Sequence, residues 1–545
     1  MRKRKYIFVV GGVMSGVGKG VTTSSIALLL EARGIHVSPI KIDPYLNVDA
    51  GTMNPIEHGE VFVLRSGLEC DQDMGNYERF LGRDLGNENY MTGGMVYKTV
   101  IDRERALGYG GRCVEPVPHI PEEIIRRIKA AGEASGAEVI ITEIGGTLGE
   151  YQSVMFIEAA RLLEIEYPGD VLFVLVSYLP VPHNLGEMKT KPTQYAVRTM
   201  NSYGVQPDII IARGESALDA KRKEKIAFSS GMHPEQVISA PDVASIYDVP
   251  LNFEKDKLGE TLLRLLGLRA KKQPNLSKWR SFVRKVHSPR CAARIAVVGK
   301  YFATGSFTLS DSYISVIEAT KYAAYHLGMK PELTWIDAET FERNLRLVAT
   351  LGKFDGIIVP GGFGSRGIEG VLSAITYART RKIPYLGLCY GMQLMVVEFA
   401  RNVAGLTGAN TTEVNKKTPY PVIDIMPEQR GKLERGDYGG SMRLGDYPAR
   451  IKRGTHAFRA YRKDLVHERH RHRYEVHPAY VERLEEAGMI FSGVSPSGKL
   501  MEIAELPPNV HPFMLGTQFH PEFTARPLSP NPLFLSFMRA VHSRK

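Results

Sequence analysis

Short apolar runs alternate with longer, helix-periodic stretches along most of the chain. The runs fall at 6–10, 37–42, 139–142, 171–176 and 209–212 in the first half, and at 294–298, 333–336, 356–359 and 384–388 in the second. Such runs, when helices separate them, are typical of buried strands in parallel sheets that are covered on both faces. We therefore expect an α/β fold with a parallel sheet in each half. A charged, proline-punctuated stretch predicts a linker at 271–293 between domains at 1–270 and 294–545.

The last run leads into the most informative feature of the sequence, a Gly-x-Cys-x-Gly-x-Gln step around Cys389. A helical pattern follows at 394–404, so the chain should turn sharply from strand to helix and present the thiol at the end of the sheet. A nucleophilic thiol needs a base and a group that orients the base. His520 and Glu522 would project to the same side of an extended chain, which suits these roles. The three residues predict a hydrolase that forms a thioester.

The first run leads into a second motif, a glycine-rich loop at 11–20. Glycines let backbone N–H groups close around phosphate oxygens, the start of a helix predicted at 22–33 favours negative charge, and Lys19 can reach the outer phosphates. The spacing departs from a strict Walker A motif, since the gap before Gly18 is longer and Gly20 replaces Ser or Thr. A glycine-rich turn without a ligand is the alternative. The predicted phosphate ligands are Ser15, Gly16, Val17, Gly18, Lys19 and Gly20.

Two acidic residues, Asp73 and Glu143, are predicted to hold Mg²⁺ beside this loop. Glu143 follows the buried run 139–142, and the carboxyl ends of parallel strands face the ligand crevice. Mg²⁺ in proteins takes one or two carboxylates together with phosphates and water. The segment 189–194 carries two cations and three hydrogen-bonding side chains, so we expect it to be extended and to clamp a second polyphosphate. An exposed loop is the alternative.

Composition narrows the classes of function. The 545 residues are 43% hydrophobic and 24% charged, as in an ordinary soluble globular protein. No apolar stretch approaches the roughly 20 residues of a membrane span, and the basic start lacks a cleavage site, so neither a membrane segment nor a signal peptide is expected. Four cysteines without metal or disulfide spacing fit a reducing cytoplasm.

The net charge of +11 raises the possibility of nucleic-acid binding. However, the basic clusters at 1–5, at 469–473 and at the C-terminus are scattered and lack interleaved aromatic residues. Ligands rich in phosphate or carboxylate, or simple solvated surface, account for them equally well. We therefore expect no nucleic-acid partner.

Together these motifs resemble those of the CTP synthase family over essentially the whole chain. The matching segments are 11–20, 41–45, 51–53, 58–63, 77–80, 143–147 and 189–194 in the first half, and 360–367, 384–393, 468–475 and 520–523 in the second. The family aminates UTP at the uracil 4-position, using ATP and ammonia from glutamine. The resemblance implies an N-terminal P-loop domain similar to dethiobiotin synthetase and a C-terminal class I glutamine amidotransferase domain. It also implies a cytoplasmic homotetramer with nucleotide sites between synthetase domains.

The resemblance implies a role for each matching residue. Cys389 attacks the glutamine amide, His520 transfers the proton and Glu522 orients His520, while Asp73 and Glu143 take Mg²⁺. The residues implied to hold glutamine or its oxyanion are Gly362, Tyr390, Gln393, Glu413 and Arg473. ATP is implied to lie on Ser15 to Gly20, with its adenine at Asp242 and Val243. The pyrimidine nucleotide is implied to bind Ser15, Lys41, Lys189, Thr190, Lys191, Pro192, Thr193, Gln194 and Lys225.

Two further features follow from the resemblance. Arg366 matches a lid arginine linked to activation by GTP. ATP phosphorylates the uracil oxygen, a poor leaving group, before ammonia displaces phosphate. Because free ammonium is mostly protonated and unreactive at neutral pH, this chemistry argues for an internal channel.

The chain departs from the family pattern mainly in the acceptor half, at Glu115, Glu150, Gln152 and Tyr195 among others. Three explanations remain open: UTP is still the acceptor, feedback by CTP is weakened, or a different acceptor is aminated. Rivals from other classes are a P-loop amidase of the cobyrinic acid type and a P-loop ATPase that binds DNA. The run at 189–194 and the Glu522 triad member count against the first, and the thiol triad would be unexplained in the second.

Overall fold

The computed structural model describes residues 4–182, 187–300, 303–304, 307–308, 310–426, 429, 431 and 439–544. Of the basic clusters at the two ends, residues 1–3 and Lys545 lie outside these ranges. The chain forms two compact units: the first contains Met1–Asp49 and Asp73–Val283, and the second contains Ala50–Gln72 and Arg284–Lys545. Within the described residues, no helix is both long and apolar enough to cross a bilayer.

The predicted apolar runs of the first half are strands in the structure. The strands are β1 (Lys5–Gly11), β2 (Val37–Asp43), β3 (Val61–Val63), β4 (Glu69–Asp71), β5 (Tyr90–Thr92), β6 (Val139–Ile144), β7 (Val171–Tyr178), β8 (Ile209–Gly214) and β9 (Val237–Pro241). The helices are α1 (Lys19–Ala32), α2 (Pro55–His58), α3 (Gln72–Leu81), α4 (Gly93–Arg105), α5 (Pro116–Ser135), α6 (Val154–Glu166), α7 (Lys191–Ser202), α8 (Ala220–Ser230), α9 (Val249–Lys255), α10 (Leu258–Leu265) and α11 (Ser277–His287).

The sheet of the first unit is parallel, with the order β5-β2-β6-β1-β7-β8-β9 among the described residues. Phe8 of β1 packs in one apolar cluster and Val9 in another, as expected when alternate residues face opposite sides of a covered sheet. Both side chains are fully buried. The parallel sheet predicted for this half is therefore confirmed, and the phosphate loop starts at the carboxyl end of β1.

Two local predictions in the first unit need correction. The segment 189–194 is not extended, because α7 begins at Lys191 and Pro192 occupies its first turn. Proline suits that position, since its missing N–H would have no helical partner there and its φ is already helical. The predicted helix at 22–33 begins earlier, at Lys19, because the left-handed Gly18 ends the loop directly before it.

The predicted linker at 271–293 contains α11, which the charged composition did not indicate. Trp279 is buried there. Its indole N–H donates to the Tyr247 carbonyl (2.8 Å) and its ring centroid lies 4.9 Å from that of Phe80. This helix is thus held to the first unit by an aromatic cluster.

The second unit contains the remaining elements. Its further strands are β10 (Cys291–Gly299), β11 (Ala303–Thr304), β12 (Phe307–Thr308), β13 (Met329–Asp337), β14 (Gly356–Val359), β15 (Tyr385–Leu388), β16 (Asn410–Thr411), β17 (Pro421–Ile425), β18 (Arg443–Ile451), β19 (Leu465–His472), β20 (Tyr474–Val476), β21 (Ile490–Val494), β22 (Met501–Glu505) and β23 (Met514–Thr517). Its further helices are α12 (Ile314–His326), α13 (Glu339–Arg343), α14 (Ile368–Thr380), α15 (Tyr390–Asn402), α16 (His456–Tyr461), α17 (Val481–Glu486) and α18 (Pro532–Ser543).

The main sheet of the second unit is mixed rather than purely parallel. Its order among the described residues is β13-β10-β14-β15-β23-β22-β21-β18-β19. The strands β13, β10, β14 and β15 pair in parallel, as predicted. β23, which was not predicted, also pairs in parallel with β15, and the strands from β22 onward pair antiparallel. β15 lies inside the sheet between β14 and β23, so its carboxyl end, where Cys389 stands, opens into the crevice of the parallel part.

The segment 50–72 packs against β19 and against the turn Pro521–Thr524, where the ring centroids of Phe62 and Phe523 lie 5.1 Å apart. Arg469 donates to the Val63 carbonyl (3.0 Å) and lies 5.5 Å from the centroid of the Phe62 ring. Arg471 bonds Glu69 (2.8 Å). Arg469 is 1% exposed, so the basic cluster at 469–473 is not merely a solvated surface: its positive charges fix a distant segment beside the thiol.

Candidate active site

Cys389 occupies the predicted sharp turn between β15 and α15. Its backbone has φ +50° and ψ −97°, which residues other than glycine rarely adopt. The turn is tight, because a Cβ added to Gly391 would lie 2.2 Å from the Val359 carbonyl oxygen. The thiol is 6% exposed. The backbone thus holds Cys389 rigidly at the end of the sheet.

His520 and Glu522 meet beside this thiol. The His520 Nδ1 lies 2.7 Å from a Glu522 carboxylate oxygen. The extended chain predicted for these residues is wrong, because Pro521–Thr524 forms a short 3₁₀ turn that begins at the proline. Burial alone would lower the pKa of His520, but the negative charges of Glu522 and Cys389 outweigh it and raise the pKa to about 10. The site therefore favours the protonated form of the His520 ring.

Two cavities of the second unit adjoin Cys389. The larger, about 740 Å³, is lined by side chains that include Gln393, Glu413 and Arg473. The smaller, about 100 Å³, lies against His520 and is lined by Glu60 and Val61 among others. Gly362 and Arg471 line both. The thiol thus stands between a roomy polar cavity and a narrow one.

The larger cavity is lined by four of the five residues predicted to hold glutamine or its oxyanion, namely Gly362, Gln393, Glu413 and Arg473. Glu413 accepts from the Gly364 N–H (2.8 Å), and burial raises the pKa of its carboxyl although Gly364 and Lys300 favour the charged form. Arg473 donates to Ser441 (2.8 Å). The Tyr390 hydroxyl donates to the Gly364 carbonyl (2.9 Å), so it bonds the loop that carries Gly362.

Lys300, which sequence reasoning missed, organises this loop. Its ammonium donates to the Gly364 carbonyl (2.5 Å) and lies 4.4 Å from the Tyr390 ring centroid. Burial lowers the pKa of Lys300 to about 8, against the opposing effects of Glu413 and Glu342. Arg366 donates to the Lys300 carbonyl (3.0 Å). A lysine directly after a buried strand is the signal that could have identified it.

The phosphate loop of the first unit has the expected strand-loop-helix form. Gly16 and Gly18 adopt φ +69° and +85°, left-handed conformations that favour glycine. Lys19 donates to the Gly146 carbonyl (2.6 Å), and burial lowers the pKa of its amine. The loop ends at the N-terminus of α1, whose free N–H groups suit an anion.

Asp73 and Glu143, the predicted metal ligands, converge on one amine. Lys41 Nζ lies 2.5 Å from Asp73 and 3.1 Å from Glu143. Burial raises the pKa of Glu143, whereas for Asp73 the effect of burial is outweighed by Lys41, so its pKa is lowered. Among the described residues, no group of three or more His, Cys, Asp or Glu side chains is arranged to hold a metal. The arrangement offers two carboxylates beside the phosphate loop.

Asp242 and Val243 line a cavity of about 300 Å³ together with Gly18 and Thr22. Asp242 also accepts from Arg213 (2.7 Å). The residues predicted to hold adenine therefore lie directly beside the phosphate loop, close enough for one nucleotide to reach both.

The segment 189–194 contributes few exposed groups at the start of α7. Thr193 is buried and bonds Ser177 (2.9 Å), and Lys189 pairs with Glu187 (2.6 Å). Gln194 Nε2 lies 3.4 Å from the Thr190 hydroxyl. The cations Lys191 and Lys225 are exposed.

Two of the departures from the family pattern lie next to the phosphate loop. Glu150 accepts from the Thr147 hydroxyl (2.6 Å) and from Gln152 (2.8 Å), and the bond from Thr147 is the main reason why its pKa is lowered. Tyr195 is 59% exposed and Glu115 is exposed. Among these four departures, Glu150 and Gln152 are therefore the pair that lies closest to Lys19 of the phosphate loop.

Comparisons with known proteins match each half of the chain to a family. Residues 5–268 match the family described as CTP synthase N-terminus, and residues 308–540 match glutamine amidotransferase class-I. The CTP synthase of Thermococcus gammatolerans is 50% identical over 543 residues, 99% of this chain and 99% of that protein. The CTP synthase of Thermus thermophilus is 48% identical over 546 residues, 99% of this chain and 97% of that protein.

A solved structure of Trypanosoma brucei CTPS, its glutaminase domain with bound acivicin, is 37% identical with a TM-score of 0.43, covering 46% of this chain and 95% of that one. The identity of about one half to the two full-length relatives, end to end, extends across both units. The chain belongs to the CTP synthase family.

Proposed function

We propose that the chain converts UTP to CTP, using ATP and the ammonia that it releases from glutamine. The observation that carries this conclusion is the presence, in one chain, of a thiol-histidine-carboxylate site in one unit and a phosphate loop with paired acids in the other. A glutaminase alone would not need the phosphate loop, and an enzyme that only uses ATP would not need the thiol site. Membership of the CTP synthase family supplies the reaction that needs both.

In the glutaminase reaction the protein's groups divide the work. Cys389 loses its proton to His520 and its sulfur attacks the carboxamide carbon of glutamine, while Glu522 holds the ring in place. Backbone N–H groups near Gly362 and Tyr390 stabilise the oxyanion. The protonated His520 then delivers a proton to the leaving nitrogen, and water releases glutamate from the thioester. We propose that the larger cavity receives glutamine and that the narrow one lets ammonia leave.

In the synthetase reaction Lys19 and the loop N–H groups bind the ATP phosphates, and Asp242 and Val243 lie at the adenine. Transfer of a phosphoryl group to the uracil 4-oxygen makes it a leaving group, which ammonia displaces. The residues fit a magnesium ion, because the carboxylates of Asp73 and Glu143 converge next to the loop, where both contact the Lys41 ammonium. Two carboxylates are the protein ligands that Mg²⁺ commonly takes beside phosphates. When bound, Mg²⁺ neutralises phosphate charge. Lys41 and the residues 189–194 and Lys225 are proposed to bind the pyrimidine triphosphate.

Further proposals rest on the family resemblance. The functional domains are 1–270 and 294–545, joined by 271–293. The protein is a cytoplasmic homotetramer, and GTP activates it through Arg366, whose guanidinium forms an ion pair with Glu339 (2.5 Å).

A second acceptor is the competing proposal, and Glu150 and Gln152 favour it. They form a hydrogen-bonded pair beside Lys19, where the family has a different sequence. A panel of pyrimidine nucleotides offered with ATP and ammonia separates the proposals, since CTP formation from UTP supports the first and product from another nucleotide alone supports the second.

Paired variants test the division of labour. Cys389→Ala should abolish synthesis from glutamine and retain synthesis from added ammonia. Lys19→Ala should abolish both and retain a functional thiol site. Loss of both activities in Cys389→Ala, or substantial synthesis by Lys19→Ala, would contradict the proposal.

A further inference from the structure

We propose that Gln518 is a catalytic residue of the glutaminase reaction, which donates a hydrogen bond to the Cys389 sulfur and stabilises the thiolate. The inference rests on the proposed glutaminase function. Gln518 directly follows β23 and is fully buried. Its Nε2 lies 3.6 Å from Cys389 Sγ, within the range of a hydrogen bond to sulfur.

The orientation of the Gln518 amide is fixed by a series of hydrogen bonds that ends at the Tyr474 carbonyl. The Tyr474 carbonyl accepts from Gln393 Nε2 (2.8 Å), and because a carbonyl only accepts, Gln393 must present its NH₂ group there. The same nitrogen lies 3.2 Å from Gln518 Oε1. Gln518 must then give its oxygen to Gln393 and its NH₂ group to the sulfur. Rotating its amide would bring two donors together.

Two buried histidines continue the hydrogen bonds from the same carbonyl. His472 Nδ1 lies 3.0 Å from the Tyr474 oxygen and must therefore carry a proton. His472 Nε2 is then free to accept from His470 Nδ1, 3.0 Å away. Burial, aided by the charge of Arg443, lowers the pKa of both rings well below the usual range, so both are neutral. Towards the sulfur, Gln393 and the two histidines act only through other groups, so in this arrangement they are positioning residues.

The Gln518 donor favours the reactive form of Cys389. As a thiol, Cys389 donates to the Arg471 carbonyl at 3.8 Å. Once the proton moves from sulfur to His520 Nε2, that carbonyl no longer has a hydrogen to accept, whereas the Gln518 N–H still points at the sulfur. A hydrogen bond to a charged acceptor is about twice as strong as one to a neutral acceptor.

Other charged or titratable groups line the two cavities that adjoin the sulfur. His520 and Glu522 do so from the 3₁₀ turn, and Arg471 and His472 do so from β19. Gln518 therefore adds to the effect of His520 and does not replace it.

The test uses the full-length protein and the substitution Gln518→Met, which keeps the size of the side chain and removes the N–H donor. Alkylation of Cys389 by iodoacetamide is followed by mass spectrometry across a range of pH, and glutamate release is measured in parallel. At pH 7 we expect the alkylation rate and kcat/KM for glutamine to fall about 10- to 100-fold, the cost of one hydrogen bond to a charged group. The two alkylation rates should converge at high pH, where the sulfur is ionised in both proteins.

Thr517→Val is the matched control, since it removes a neighbouring buried hydroxyl that bonds the Phe519 carbonyl (2.8 Å). Its alkylation profile should stay within about twofold of that of the unsubstituted protein, as expected of a change that leaves the thiolate donor in place. Alkylation of Gln518→Met at the unsubstituted rate at pH 7, or a deficit that persists at high pH, would overturn the proposal. So would an equal deficit in Thr517→Val.

Two safeguards keep the outcomes distinct. Ammonia-dependent synthesis reports folding, and if Gln518→Met lacks it, Gln393→Met carries the test: it frees the Gln518 amide to rotate and should slow alkylation at pH 7 by about 3- to 10-fold. An unchanged rate there would overturn the proposal. Failure of the unsubstituted protein to hydrolyse glutamine would instead contradict the proposed function, because alkylation does not depend on turnover.

Discussion

Replacing Glu522 by glutamine tests the electrostatics of the thiol site. The substitution keeps an oxygen to accept from His520 Nδ1 at the observed 2.7 Å but removes the negative charge. The pKa of His520 is raised from 6.5 to about 10, against the effect of burial, and Glu522 is the largest source of the increase. An increase of that size corresponds to about 5 kcal/mol of preference for the protonated ring.

Part of this preference comes from Cys389, so we expect Glu522→Gln to cost about 2–3 kcal/mol of stabilisation of the protonated ring. That cost corresponds to a fall in glutaminase kcat of about 30- to 150-fold. The sign of the pH effect is also fixed. Since the ring of the variant loses its proton at a lower pH, the alkaline loss of activity should move to lower pH.

The assay is glutamate release from glutamine by full-length protein with ATP and UTP present, measured across the pH range for both proteins. Ammonia-dependent synthesis, which does not use this site, is the control for folding and should be unchanged. A kcat within about threefold of the unsubstituted value, together with an unmoved alkaline limb, would refute the reasoning, since loss of a charge-assisted hydrogen bond must cost more than that.

Three other predictions follow from particular contacts. Gly20→Ser, which brings the loop closer to a Walker A motif, should abolish synthesis and spare glutamine hydrolysis, because an added Cβ would lie 2.0 Å from Asp73 Oδ1. Calorimetry of nucleotide binding checks this prediction, and tighter binding by the variant would contradict it. Asp208→Asn should raise the melting temperature at pH 8 and have little effect near pH 4. Burial raises the pKa of Asp208 from 3.8 to about 6, so the folded state loses stability as pH rises through that interval; an equal shift at both pH values would contradict this. Arg366→Ala should remove stimulation of glutamate release by GTP and leave the unstimulated rate unchanged, since its contacts are to Glu339 and the Lys300 carbonyl rather than to Cys389; retained stimulation would show that the lid role is wrong.

Parallel strands such as β1 and β15 could be predicted because they are short apolar runs that are buried on both faces. In both cases the motif at the carboxyl end of the strand identified a site. The antiparallel strands could not be found in the same way. β19 carries Arg469, His470 and His472, whose polarity suggests a surface, yet all three are buried and bonded to partners that are distant in sequence or in the same motif.

The candidate site was only partly predictable for a related reason. Cys389, His520 and Glu522 lie in compact motifs, so local spacing is enough to select them. Lys300 and Gln518 act through contacts that the fold creates across long stretches of sequence, the distance from Gln518 Nε2 to Cys389 Sγ being 3.6 Å. The packing of residues 50–72 with the second unit also depends on contacts between residues that are distant in sequence. The spacing of hydrophobic residues along the chain does not predict such contacts.

The most direct test of the account is to give the purified protein UTP, ATP and Mg²⁺ with either glutamine or ammonia, and to measure CTP by chromatography. We expect CTP from both nitrogen sources, with one glutamate released for each CTP formed from glutamine. Vigorous glutamate release with no CTP from either source would contradict it, because the thiol site would then work while the acceptor assigned to the phosphate-loop unit is wrong.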